Sequence, residues 1–380
     1  MHASLLASAD MIELRAVTKR HRDGLLAVDN LSISIASGEL CVLVGPSGCG
    51  KTTTLKMINR LIEPSSGQIL IDDVNVLALD PVNLRRGIGY VMQHGGLFPH
   101  RRVGENVATV PRLLGWPAAR VDARVEELLD LVGLEPSKYL RRFPHELSGG
   151  ERQRVGVARA LGADPPILLM DEPFGAVDPI ARKRLQAEFF DLQARLNKTV
   201  VFVTHDIEEA LFLGHRIAIL QNGAHIEQFD TPQAILARPA TPFVAEFVGA
   251  DRDIQRLGVT ELTASAVETA PMIGVSTTVA ELSLKGPIAT TVFVVVSPGS
   301  APLGHLSLTG RENPSTTAAE LMTPFSTTVP LGSSLRLALV AMLQGDQVVA
   351  VTLEGRFVGL ITFAALQRSM QTAPQDLTST

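Results

Sequence analysis

An α/β fold organised around a phosphate-binding loop is predicted by three stretches of this 380-residue chain. Residues 45–53, GPSGCGKTT, read G-x-x-x-x-G-K-T and stand between an apolar run, LCVLV at 40–44, and a helix-like TLKMI at 54–58. Residues 166–173, PILLMDEP, have the continuous apolar character of a strand buried on both faces, and they deliver two adjacent acids at its carboxyl end. Residues 199–203 form a further apolar strand, after which Thr204-His205-Asp206 fall where a third strand of the same sheet would stop.

The loop supplies the chemistry of anion binding. Gly45, Gly48 and Gly50 leave backbone N–H groups free to point inward, and the positive end of the following helix faces the same place. Lys51 is expected to reach the β- and γ-phosphates of a nucleotide and the Thr52 hydroxyl to sit on Mg²⁺, while Pro46, Ser47, Cys49 and Thr53 complete the cradle. The Cys49 side chain reads as filler, because such a loop works through its backbone. Asp171 is expected to hold Mg²⁺ through its water shell and Glu172 to polarise the water that attacks the γ-phosphate.

Composition narrows the class. With 46% apolar and 19% charged residues the chain can bury more than one core, and its length fits two or three domains. A net charge of −5 argues against a nucleic-acid partner. Cys41 and Cys49 lie in one strand and loop, make no disulfide framework and suit a reducing cytosol. No apolar run approaches the ~18 residues of a membrane helix, and the start, MHASLLASAD, lacks the basic segment of a signal peptide.

Taken in order, residues 11–17 and 31–35 alternate as strands of a small antiparallel sheet, with Arg20 and His21 between them. Residues 67–76 read as strand, turn and strand. At 89–100, GYVMQHGGLFPH, an apolar strand ends on Gln93 and enters a loop punctuated by glycine and proline. Gln93 could complete a Mg²⁺ shell or hold a water, and an ordinary strand-exit loop reads equally well from these residues alone. Residues 120–134 carry a helical apolar face. Residues 147–155, LSGGERQRV, combine a capping box, Ser148 to Glu151, with Gly149 and Gly150 directly after the cap. Two glycines are poor helix formers, but they leave unobstructed N–H groups at the helix start, as an anion site requires.

In this order and spacing, the phosphate loop, Gln93, LSGGERQRV, LLMDEP, GAVD and His205 resemble the ATP-binding subunit of an ABC transporter over roughly residues 10–245. The resemblance implies a P-loop NTPase core with a small antiparallel β subdomain and a helical subdomain. It also implies a head-to-tail homodimer with ATP between residues 45–53 of one copy and Ser148, Gly149 and Gly150 of the other. It makes Glu172 the general base, His205 the γ-phosphate switch and Asp178 the residue communicating across the dimer. Gln93 and the stretch to His100 would touch an integral membrane permease, and an extracytoplasmic substrate-binding protein would act indirectly. His21 stands where the family places an aromatic ring against adenine, with less stacking area.

The stretches GYVMQHGGLFPHRRVGENVATVPRLLGW and LMDEPFGAVDPIAR are similar to ATPase subunits of importers for quaternary amines: glycine betaine, proline betaine, choline or carnitine. Residues 321–370 resemble a CBS module and 261–310 a weaker copy, a small α/β tandem. Nucleotide-binding CBS modules carry an acid where this chain has Ala365 and Gly310, so a degenerate small-molecule regulator or a dimer brace is the expectation. The expected organisation is an ATPase domain at 10–248, a linker at 249–260, modules at 261–310 and 318–370 joined through a polar linker, and a disordered tail at 371–380. The chain is thus expected at the cytoplasmic face of the cell membrane. An importer of another solute, such as a polyamine, amino acid or sulfonate, is the alternative. A soluble ABC ATPase of DNA repair or translation fits less well, because the chain has one cassette and no basic arms.

Overall fold

The computed structural model describes residues 10–93, 96–175, 177–249, 251–283, 292–308 and 311–371. The chain start, Gly310 and the tail beyond 371, each the subject of an expectation above, lie outside the described residues. Two compact units divide the chain, Met1–Val248 and Gly249–Thr380.

In the first unit, β1 (Asp10–Arg20), β2 (Leu26–Ala36), β4 (Ser66–Ile71) and β5 (Val74–Asn75) form an antiparallel sheet in the order β2-β1-β4-β5. Both leading strands run longer than the alternation alone marks, because register shifts between Leu14 and Val17 let the ladder continue past irregular residues. A second sheet has the order β10-β9-β3-β8-β7-β6. Its strands are β3 (Leu40–Val44), β6 (Ile88–Val91), β7 (Ile167–Asp171), β8 (Thr199–Thr204), β9 (Arg216–Gln221) and β10 (His225–Asp230). All but β10 run parallel, and β3, β7 and β8 are almost wholly buried, as their unbroken apolar composition requires.

Register positions the site. Val44 pairs with Thr204, Asp171 with Val203 and Val91 with Met170, so the loops after four parallel strands leave the sheet at one edge. At the carboxyl edge of an open α/β sheet, exactly such loops form ligand sites. Against this sheet lie α1 (Lys51–Ile58), α3 (Gly149–Ala160) and α4 (Pro179–Leu196), while α2 (Ala118–Leu131) packs on α3.

The second unit departs from a simple tandem. Its strands β11 (Met272–Gly274), β12 (Val292–Val296), β13 (Pro302–Ser307) and β14 (Thr323–Pro324) make one sheet, and β15 (Thr328–Pro330), β16 (Val348–Leu353) and β17 (Arg356–Thr362) another. The expected linker at 249–260 holds a helix, α5 (Arg252–Val259), whose Leu257 is buried with Leu262 in the core of the later sheet, beside Val349, Val351 and Ile361. Conversely, α6 (Ala318–Leu321) and β14 belong to the earlier sheet: Ala318 packs with Ile273, Phe293 and Val295. The polar stretch before α6 is likewise tied down, with Val279 N donating to Thr316 O at 3.1 Å and Ala280 N to Pro314 O at 3.0 Å. The two modules therefore exchange their leading segments. Alternation along a sequence marks strands, but it does not say which core a short helix joins.

Candidate ATP site

Close backbone packing explains the glycines of the phosphate loop. A Cβ on Gly45 would come within 2.2 Å of Leu220 O, and one on Gly50, at φ +110°, within 2.4 Å of Ala27 O. Gly48 has open space around it but a φ of +81°, which glycine adopts without strain. Lys51 begins α1 and is only 5% exposed; its Nζ donates to Gly45 O at 2.7 Å and Pro46 O at 2.8 Å and lies 3.6 Å from Cys49 Sγ. The loop thus folds back around its own cation. Cys49 and Cys41 are buried free thiols.

Across the sheet edge, Thr52 Oγ1 donates to Asp171 Oδ1 at 2.8 Å. Burial pushes the Asp171 carboxyl above its ordinary range, and the adjacent Glu172 adds to this, against the hydrogen bonds from Thr52 and Tyr90. Burial, with the Asp171 charge beside it, likewise raises the Tyr90 phenol. A hydroxyl and a partly desolvated carboxylate in contact are a hard-oxygen pair of the kind Mg²⁺ takes, and the cation would offset the cost of that buried charge. Tyr90 was not singled out from the sequence, because a tyrosine inside an apolar strand carries no signal of the acid it will meet.

Glu172 gathers a second group. Gln93 Nε2 donates to Glu172 Oε2 at 3.0 Å, and His205 Nδ1 lies 3.3 Å from the same oxygen. Gln93, read from the sequence as able to complete a Mg²⁺ shell or hold a water, directs its amide nitrogen to the neighbouring acid. Glu172 has φ +43°, unusual for a residue with a Cβ, and its N–H donates to Val203 O at 2.9 Å. Strained backbone of this kind recurs at functional sites.

Other expected residues lie on separate elements. Ser148 caps α3, its hydroxyl accepting from Glu151 N at 3.2 Å while Glu151 Oε2 accepts from Ser148 N at 2.7 Å. Tyr139 donates to Glu151 Oε1 at 2.5 Å and holds that carboxyl below its usual range. Gly149 and Gly150 form the first turn of α3. Asp178 caps α4, accepting from Ala181 N at 3.0 Å. His21 lies in the turn after β1, where its N–H donates to Leu25 O at 2.8 Å. The stretch to His100 is braced by Asn106, fully buried, which accepts from Phe98 N at 2.8 Å and donates to Phe98 O at 3.2 Å and Arg101 O at 3.0 Å. Sequence reasoning passed over Asn106, which follows Glu105 in VGENV and carries no signal of the backbone it will hold.

Comparison with known proteins gives concordant results. Residues 28–175 match the ABC transporter family. The chain is 46% identical over 361 residues, 93% of its length and 94% of the relative's, to the osmoprotectant import ATP-binding protein OsmV of Salmonella typhimurium. It is 57% identical over 245 residues, 64% of each chain, to the glycine betaine/carnitine/choline transport ATP-binding protein OpuCA of Bacillus subtilis. Among solved structures, a dimeric ATP-binding cassette in a post-hydrolysis state bound to ADP and phosphate superposes with a TM-score of 0.53 at 36% identity, covering 58% of this chain and 99% of that one.

Proposed function

Because this chain belongs to the ATP-binding subunits of ABC transporters, we propose that it hydrolyses ATP to energise import of a quaternary-amine osmoprotectant, such as glycine betaine, choline, carnitine or proline betaine, through a separate membrane permease. The observation that carries the reading is the shared edge of the parallel sheet, where Lys51, Thr52 and Asp171 stand beside Gln93, Glu172 and His205, in a chain whose relatives are named for osmoprotectant import.

In this reading ATP lies over the loop from Gly45 to Thr53, whose N–H groups and Lys51 take the phosphates. Thr52 and Asp171 would hold Mg²⁺, which would supply positive charge to offset that of the phosphates. Glu172 accepts a proton from the attacking water; Gln93 and His205, both in contact with its carboxylate, orient that group towards the γ-phosphate. Ser148, Gly149 and Gly150, at the start of α3, serve the nucleotide of a second copy. Asp178, at the start of α4, communicates across that dimer, and the braced stretch from Gln93 to His100 meets the permease. Among the described residues no helix is long and apolar enough to cross a membrane. The second unit is a CBS-like regulatory pair.

Proteoliposomes holding the chain with its permease test this. ATP hydrolysis is expected to rise when the osmoprotectant and its extracytoplasmic binding protein are supplied. Hydrolysis indifferent to permease and solute alike would sink the proposal.

A further inference from the structure

Glu209, only 6% exposed, lies on the helix Ile207–Leu213 that follows the turn carrying His205, and it takes no part in the chemistry at the phosphates. A buried carboxyl costs stability that an apolar side chain in its place would not, and Ala210 and Leu213 beside it are both buried. Burial pushes its carboxyl above the ordinary range and the Asp206 charge adds to this, against the Thr204 hydroxyl, the Gln186 amide and the Arg182 charge. What those neighbours are shows what the acid joins.

Two elements meet at this carboxyl. Gln186 of α4, itself buried, donates from Nε2 to Glu209 Oε1 at 2.9 Å, and Arg182, one turn earlier on the same helix, adds its charge. Arg182 also donates from Nη2 to Val177 O at 3.1 Å, beside the Asp178 cap of that helix. On the other side stands Thr204, the last residue of β8. Its Oγ1 accepts from Asp206 N at 3.0 Å, which leaves the hydroxyl hydrogen for Glu209. Asp206 Oδ1 in turn accepts from Glu208 N at 2.9 Å and Glu209 N at 3.3 Å. His205 thus sits between two residues whose polar atoms belong to this network. Its own ring is largely exposed, so its place against Glu172 depends on the backbone that carries it. Glu172, His205, Arg182 and Glu209 line a common cavity of about 10 Å³, no larger than one water, so a shift of one wall is felt at the other.

We propose that Glu209 is a positioning residue for ATP hydrolysis: its carboxyl ties the turn Thr204-His205-Asp206 to α4 and so holds the His205 imidazole at the Glu172 carboxylate. The inference rests on the reading of Glu172 as base and His205 as its partner. Without the Glu209 carboxyl the turn keeps its cap from Asp206 but loses its anchor on α4, and the His205 ring moves away from Glu172. ATP binding, which belongs to Lys51 and the loop of residues 45–53, is untouched.

The test compares the full-length parent chain with Glu209→Ala and Glu209→Gln by steady-state ATPase at saturating MgATP, ATP calorimetry and NMR of isotope-labelled histidine. The His205 ring resonance is assigned by its absence from His205→Ala. Glu209→Ala is expected to lower kcat by about tenfold or more, to leave KM and the Kd for ATP within about twofold, and to shift the His205 resonance. Glu209→Gln, which can still accept from Gln186 and Thr204, recovers most of the rate and returns the resonance towards its parent position. A Glu209→Ala rate within about twofold of the parent, an unmoved His205 resonance, or a fall in ATP affinity as large as the fall in rate overturns the proposal. If Glu209→Ala fails to fold, Gln186→Leu, which removes only the donor from α4, takes its place, with a loss of about threefold or more expected and the same results overturning it. A parent chain that binds ATP without hydrolysing it would instead contradict the hydrolytic reading itself, and the proposal with it.

Discussion

Glu172 joins two demands in one position: a left-handed backbone that turns the chain out of β7, and a carboxylate in contact with both Gln93 and His205. Glu172→Gln keeps the shape and removes the base, so hydrolysis should fall by about 10²-fold or more while ATP binding persists. On a sizing column with saturating ATP and Mg²⁺ this variant should run as a dimer; a monomer would remove Glu172 from the role of base. Lys51→Ala withdraws the charged contact to the phosphates, and calorimetry should show ATP affinity falling at least about tenfold. Asp171 gives a pH prediction. Its folded-state pKa is raised by burial, so its contribution to stability is present below the unfolded pKa and is lost as pH rises through the folded value. Asp171→Asn should therefore melt no lower than the parent chain near neutral pH, with that relative advantage shrinking in acid, even as ATPase activity is lost. A variant that melts lower near pH 7 and recovers in acid would reverse the sign. The loop, the adjacent acids and His205 were legible because each stands at a strand end within a short motif. Tyr90 and Asn106 were not, because neither the apolar strand around Tyr90 nor the mixed turn around Asn106 names the partner its side chain will meet.

Helix α3 shows how capping and function share a segment. Ser148 and Glu151 satisfy each other's N–H groups, and Tyr139 fixes the carboxylate that does so. Ser148→Ala should cost about 1 kcal/mol of stability through the lost cap. If Ser148 also serves a nucleotide, ATPase activity should fall by more than Glu151→Ala lowers it at equal loss of melting temperature; equal falls would leave only the structural role. The phosphate loop makes a comparable distinction. Gly45→Ala drives a Cβ into Leu220 O, whereas Gly48→Ala meets no atom and pays only for its positive φ. Thermal melts should rank Gly45→Ala well below Gly48→Ala. Buried strands such as β7 and β8 could be read from composition alone, since a strand covered on both faces has little choice of residue. Their lateral order could not, because parallel neighbours are set by crossovers rather than by local pattern.

Two units with separate cores imply two separable stabilities. The exchange of leading segments in the second unit makes a particular demand on truncation. Removing residues 249–262 deletes α5 and Leu262 from the core built on β15, β16 and β17, so it should destabilise that module rather than trim a linker. Ending the chain at Val248 instead should leave basal ATPase activity intact and, with the permease present, change its dependence on ionic strength. Identical regulation with and without the second unit would deny it a sensing role. The central claim, that ATP hydrolysis here drives uptake of a quaternary amine, is tested most directly by solute uptake. In proteoliposomes containing the chain, its permease and its binding protein, labelled glycine betaine, choline, carnitine and spermidine would each be offered with ATP enclosed. ATP-dependent accumulation of at least one quaternary amine, abolished by Glu172→Gln, is the predicted result; accumulation of spermidine alone would contradict it.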